Sequence, residues 1–318
     1  MQHGGKRILV IDLGGTNLRA AFADPSANEL FDVQKIKLER IDEFYNIVDE
    51  LIKKYPGTED LVVSVAGPKN GNSITMTNRN WKIVSSDVQE RYGLRSCHLL
   101  NDWEAIAYSL SSLKEDDLRI LKKGQFVGLN DIPKFVIGPG TGLGAALYSR
   151  VRNIEHVNPT ELGNTQTSVN HYLKIFGIED SSSFEILEDV LSGPGISKVS
   201  EIFLNESLTP EEILVRAKEG DNVCTDLIQK YIQCFAVLSS ESALSYNCHG
   251  GIFLVGSFMR GLESFINDQI FAKQFIGKRK QIHADFLNGI PVFLVKREST
   301  PLYGNLNYFK STIESQLS

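Results

Sequence analysis

Two glycine-rich turns constrain this chain more than any other feature: Asp12-Leu13-Gly14-Gly15-Thr16-Asn17 and Gly138-Pro139-Gly140-Thr141-Gly142-Leu143-Gly144. Each follows an apolar β-type run. Each also places residues without a Cβ where backbone N–H groups must approach a polyanion, and adds a threonine hydroxyl, Thr16 or Thr141, as a further donor. Between them in sequence, a third β-type run ends in Asn101-Asp102. That order predicts two lobes gripping a nucleotide around a carboxylate base.

At 318 residues the chain exceeds the usual size of one hydrophobic core, so two domains are expected, and 42% apolar residues suffice to bury both. A formal net charge of −6 disfavours a general affinity for nucleic acid or an anionic membrane surface. The four cysteines, Cys97, Cys224, Cys234 and Cys248, have no CxxC spacing and read as reduced and mostly buried. Cys97-His98 and Cys248-His249 are adjacent pairs, and neighbours on a strand point to opposite faces, so a metal site there is disfavoured. The first strand follows the N-terminus without an apolar signal core, and no stretch approaches the roughly 20 apolar residues of a membrane span, so a cytoplasmic protein is expected. In that setting the glycosylation match Asn205-Glu206-Ser207 reads as chance.

Residues 7–11, 18–23 and 31–38 read as three successive antiparallel strands, followed by a helix with Phe44, Ile47, Val48, Leu51 and Ile52 on one face and Gly57 as its stop. Strand 61–66, a brief helix capped at Ser85-Ser86-Asp87, strand 97–101 and helix 103–113 give the order β-β-β-α-β-α-β-α. A second block opens with strand 134–137 and returns at 145–150 around the second glycine turn. Helical periodicity then marks 184–191, 195–204, 210–218, 223–246 and 262–275, with a buried strand plus a turn at 250–257, a strand at 291–295 and a terminal helix at 306–317.

The acid at position 12 suits Mg²⁺, directly or through water, beside transferred phosphate; a plain tight hairpin leaves a carboxylate at a buried strand end unexplained. Gly140 to Ala145 also fits the weak GxGxxA dinucleotide pattern, but that fold needs a helix immediately afterwards, and 145–150 reads as a strand. No GxxxxGK[ST] loop occurs. Asp102 suits a general base taking a proton from an alcohol as its oxygen attacks phosphorus; a helix cap is the competing role, and different atoms could serve both. Glu161 and Glu188 taken alone read as solvated surface acids.

Six segments in order resemble the bacterial-type glucokinases of the sugar kinase, actin and heat-shock-chaperone ATPase superfamily: DLGGTNLR at 12–19, MTNRNW at 76–81, LLNDWEA at 99–105, GPGTGLGAAL at 138–147, EDVLSGPG at 188–195 and GGIFLVGS at 250–257. The resemblance runs from the first strand through the C-terminal helix. It implies an α/β fold of two ribonuclease-H-like lobes with mixed sheets flanked by helices and an ATP cleft between them. Residues 1–114 with 300–318 would form the small lobe and 115–299 the large helical one. It further implies ATP-dependent phosphorylation of the 6-hydroxyl of glucose, with Asp102 as base and Asn78, Asn101, Asp102, Glu161, Asn164 and Glu188 around the sugar. Asp12, Gly14, Gly15, Thr16, Asn17, Gly140, Thr141, Gly142, Gly256 and Ser257 would bind the nucleotide, with Asp12 orienting Mg²⁺. The family also suggests a homodimer.

Three departures from the family pattern stand out. Asn164 replaces the histidine expected at the sugar, an amide that cannot titrate near neutrality. Gly256-Ser257 stands for a double glycine at the adenosine turn, and the glycine-rich stretch expected after Pro301 reads Leu302-Tyr303-Gly304-Asn305-Leu306-Asn307. These bear on the sugar and the efficiency more than on phosphoryl transfer, and leave a kinase for another hexose or amino sugar, or a catalytically weak sugar or nucleotide sensor, as alternatives. The zinc motif and the N-terminal DNA-binding helix pair of the related repressors are missing, which disfavours a transcription factor.

Overall fold

The computed structural model describes residues 7–15, 17–76, 79–125, 132–152 and 154–317. Thr16 and Asn78 lie outside them. Strands β1 (Ile8–Leu13), β2 (Asn17–Asp24) and β3 (Glu29–Lys37) form the opening meander, and α1 (Ile41–Lys54) and β4 (Asp60–Val65) follow. Next come a three-stranded flap, β5 (Lys69–Asn70), β6 (Ser73–Thr75) and β7 (Lys82–Val84), then α2 (Ser85–Tyr92), β8 (Ser96–Asn101) and α3 (Asp102–Tyr108). The second half opens with β9 (Leu118–Lys122), β10 (Lys134–Pro139), β11 (Leu143–Val151) and β12 (Ile154–Thr160). Helices α4 (Val169–Phe176), α5 (Glu188–Leu191), α6 (Gly193–Leu204), α7 (Pro210–Lys218) and α8 (Asn222–Tyr246) precede β13 (Ile252–Leu254). After α9 (Ser257–Gly261), α10 (Asp268–Ile276), α11 (Gln281–Gly289) and β14 (Val292–Val295), the chain ends in α12 (Thr300–Leu317).

The chain divides into two units, Met1–Leu113 with Glu298–Ser318, and Lys114–Arg297. The first holds a sheet of order β3-β2-β1-β4-β8, the second one of order β12-β11-β10-β13-β14-β9. In each, an antiparallel hairpin around a glycine turn (β1–β2, β10–β11) continues into a third antiparallel strand, while the first hairpin strand pairs in parallel on its other side (β1–β4–β8, β10–β13–β14). The ribonuclease-H-like topology therefore occurs twice, with β9 added at one edge of the second sheet.

All six residues of β1 are buried, as a strand covered on both faces requires. On one face Leu9, Ile11 and Leu13 pack with Phe44, Val48 and Leu51 of α1, residues at helical spacing. In the second unit α8 runs through the core, burying Leu227, Ile228, Tyr231, Phe235 and Leu238 among others. Each such side chain contributes about 1.5–3 kcal/mol on leaving water. Among the described residues no helix is long and apolar enough to cross a membrane.

Several expected elements differ. The short flap strands β5–β7, edge strands β9 and β12, and helices α4 and α11 lie where no element was expected. The helix expected at 103–113 is α3 followed by a 3-10 turn, Ser109–Ser112, and that expected at 184–191 is only Glu188–Leu191. Segment 262–275 breaks because Asn267 caps a new helix, its Oδ1 accepting from Gln269 N and Ile270 N at 3.1 Å each. No side chain caps α2: its cap residue is Val84, so Ser85-Ser86-Asp87 lie inside the helix. In the terminal helix Pro301 lies in the first turn, where its missing N–H costs nothing, so α12 begins at Thr300.

Candidate functional site

In the first unit the candidate residues lie at the carboxyl edge of the parallel strands, where open α/β sheets bind ligands. Register aligns Leu13 with Val65 and Val65 with Asn101, so the ends of β1 and β8 are two strand spacings, about 10 Å, apart. Asp12 and Asp102, one residue to either side of that row, thus share one edge. The glycine turn closes with Gly14 N donating to Asn17 O at 2.9 Å. A Cβ at Gly14 would approach nothing closer than 3.4 Å and one at Gly15 would meet nothing within 4 Å, and neither residue has a left-handed φ. The described protein does not demand glycine there; a ligand drawn close to the backbone would.

Asp12 is 6% exposed. Its Oδ2 accepts from Arg19 Nη1 and its Oδ1 from Ser64 Oγ, both at 3.2 Å. Burial raises its pKa, and Arg19 and Ser64 oppose the rise. The partners follow from register: Asp12 stands opposite Arg19 on β2 and beside Ser64 on β4. Sequence reasoning missed both, yet Arg19 was available, since a hairpin pairing Leu13 with Leu18 necessarily pairs Asp12 with Arg19.

Asn101, not Asp102, caps α3. Its Oδ1 accepts from Trp103 N (2.9 Å) and Glu104 N (3.3 Å), Glu104 Oε2 accepts from Asn101 N in return, and Asn101 Nδ2 donates to Gly67 O at 2.9 Å. Asp102 is the first helical residue, so capping does not claim its carboxylate. Asn101 is engaged at both ends of its amide, and a sugar hydroxyl would have to share those atoms.

In the second unit the glycine turn is a hairpin, with Pro139 paired to Leu143 and β11 following at once, which removes the dinucleotide alternative. Three elements hold it. Gly193 N, opening α6, donates to Gly140 O at 2.9 Å. Leu143 N donates to Glu188 Oε2 at 3.2 Å, and a Cβ on Gly142 would sit 2.6 Å from that oxygen. A Cβ on Gly256 (φ 127°) would sit 2.7 Å from Pro139 O, which sets the Gly256-Ser257 turn against the hairpin. Gly140 itself has only Gly142 O near its missing Cβ, at 3.9 Å, and Thr141 is exposed.

Leu143 joins the sugar candidates as well. Its carbonyl abuts Gly163, where a Cβ would lie 2.2 Å away, so the segment with Glu161 and Asn164 converges on the hairpin from the side opposite Glu188. Asn164 Nδ2 donates to Glu161 Oε2 at 2.9 Å, orienting the carboxylate; both residues are exposed. Glu188, by contrast, is partly buried and fixed by a backbone N–H, not the free surface acid its position alone suggests.

Each unit thus combines a glycine turn open to a polyanion with carboxylates and amides suited to hydroxyls. The glucokinase family model matches residues 9–312. The chain belongs to the glucokinase family. It is 27% identical over 312 residues to the glucokinase of Saccharophagus degradans, covering 93% of this chain and 96% of that one, and 28% identical over 321 residues to that of a Caulobacter species, covering 93% of each. The solved glucokinase from an Antarctic psychrotroph superposes with a TM-score of 0.79 at 25% identity, over 95% of this chain and 98% of that one. The fold is also that of the glucokinase from Balamuthia mandrillaris solved with glucose, with a TM-score of 0.78 at 20% identity over 96% and 94% of the two chains. As a glucokinase-family member it is a kinase acting on a hexose.

Proposed function

We propose that this chain transfers the γ-phosphoryl group of ATP to the 6-hydroxyl of glucose, giving glucose 6-phosphate and ADP in the cytoplasm. The observation that carries the catalytic assignment is the division of labour at β8: Asn101 caps α3, which leaves Asp102 at the sheet edge shared with the glycine turn of Asp12. Asp102 takes the 6-hydroxyl proton as that oxygen attacks the γ-phosphorus, and the bond to the β,γ-bridging oxygen breaks, with ADP leaving. Backbone N–H groups of Gly15 and Gly142 and the hydroxyls of Thr16 and Thr141 receive phosphate oxygens, while Gly14 and Gly140, whose N–H groups close the turns, let the phosphates approach the backbone. Gly256-Ser257 meets the adenosine end, and Asn78 and Asn101 join the groups around the sugar. Glu161, Asn164 and Glu188 take hydroxyls at the far end of the ring, where a missing partner leaves a buried group unsatisfied.

Asp12 fits Mg²⁺ as a hard oxygen donor. Among the described residues no cluster of three or more His, Cys, Asp or Glu side chains could hold a metal, so phosphate oxygens and water would complete its shell. Bound there, Mg²⁺ would neutralise phosphate charge.

A second reading, a kinase for another hexose or an amino sugar, draws on Asn164, which stands where the family carries histidine. An ADP-release assay across a panel of sugars tests both. Glucose is expected to give the highest kcat/KM, and Asn164→His to lower the glucose KM by about three- to tenfold, the worth of roughly one hydrogen bond. A higher kcat/KM for another sugar rejects glucose as the substrate, and sugar binding without turnover under saturating MgATP makes the protein a sensor.

A further inference from the structure

Helix α12 buries two asparagines, Asn305 (0% exposed) and Asn307 (6%), a residue type with little helix preference. Asn307 Nδ2 donates to Tyr108 O (2.9 Å) and Ser112 Oγ (3.0 Å), tying α12 to the segment after α3. Asn305 does something else. Its Nδ2 donates to Ile11 O at 2.8 Å and to Ser64 Oγ at 3.2 Å. The reversed amide would oppose its own oxygen to the Ile11 carbonyl, so this orientation is forced.

Ser64 Oγ lies 3.3 Å from Ile11 O and 3.2 Å from Asp12 Oδ1, with one hydrogen to give. Asn305 already supplies a hydrogen to Ile11 O and occupies a lone pair of Ser64. The Ser64 hydrogen is thereby directed to the anionic oxygen, the stronger acceptor. Arg19 holds the other oxygen of Asp12. Asn305 Oδ1, buried, has no hydrogen-bond partner among the described residues. An apolar side chain would carry no such orphaned oxygen, so burial alone does not account for an asparagine there.

We propose that Ser64 and Asn305 are positioning residues for Asp12, holding its carboxylate in the orientation that meets the metal–nucleotide, so that the C-terminal helix sets the geometry of the phosphate site. This rests on the assignment of Asp12 made above. The test is calorimetric titration of ADP into the full chain with and without Mg²⁺, beside the thermal midpoint. Ser64→Ala is expected to weaken ADP binding about tenfold with Mg²⁺ present, the scale of a charge-assisted hydrogen bond, and to leave it within about twofold without. Asn305→Leu, which removes the amide and its orphaned oxygen together, is expected to show the same magnesium-specific loss in its folded fraction, alongside a lowered midpoint from the bulkier side chain. Because Asn305 acts through Ser64, the double variant should lose no more than Ser64→Ala alone. Asn307→Ala is the stability control, expected to lower the midpoint while leaving the magnesium dependence intact. If Asp12→Asn loses the magnesium-dependent affinity but Ser64→Ala and Asn305→Leu do not, or if their losses add, this proposal alone falls. If Asp12→Asn itself shows no such loss, the assignment of Asp12 falls and takes this proposal with it.

Discussion

Asp102→Asn is expected to lower kcat by about 10²–10⁴-fold, the usual contribution of a general base, while ADP affinity and the thermal midpoint change little. The small structural cost follows from the capping arrangement. Asn101 satisfies the N–H groups of Trp103 and Glu104, so the substitution leaves the helix cap in place, and the charge it removes near the helix N-terminus is worth about 0.3–1 kcal/mol. A structural residue would show the reverse pattern, a lowered midpoint with turnover scaled to the folded fraction. Steady-state kinetics with ADP calorimetry on the same preparation separates the two, and retention of wild-type kcat would remove Asp102 from the mechanism.

Gly304→Ala is expected to destabilise the protein by about 2–4 kcal/mol, although helix propensity by itself predicts a gain of about 1 kcal/mol for the same change in α12. A Cβ at 304 would lie 1.6 Å from Ala105 O and 2.5 Å from Ala105 C, backbone atoms of α3 that cannot rotate aside. The two helices would have to separate, breaking the Asn307 bonds to Tyr108 and Ser112. Ala105 lies three residues after Asp102 on the same short helix, so kcat should fall along with the midpoint, by roughly 5–10 °C for the latter. A midpoint equal to or above that of the parent would show that α12 and α3 do not pack backbone to backbone.

Local patterns were legible where the information was local. Helix α7 occupies the expected 210–218 because Thr209 and Glu212 form a reciprocal capping box, Thr209 Oγ1 accepting from Glu212 N and Glu212 Oε2 from Thr209 N, with Pro210 at the first turn. Helix α8 matched its long apolar periodicity, and the second glycine turn is the expected hairpin. Strands of two or three residues, such as β5, β6 and β7, have too few positions to display alternation. Edge strand β12, with no residue fully buried, carries almost no apolar signal. Glu188 was legible only through the family resemblance of its segment and not from its own chemistry, because what fixes it is the Leu143 N–H, 45 residues away.

From sequence alone came the two glycine turns, the strands that carry them and the carboxylate after β8, since each depends on residues within a turn or two of one another. Tertiary structure decided which acids are buried and what holds them. Asp12 is bonded to Ser64 across 52 residues, and Asn305 reaches Ile11 across 294, contacts that exist only once strand register and helix docking are set. Periodicity reports which face of an element is buried. Which polar atom meets another inside that face depends on register, and a single-residue slip would reverse it.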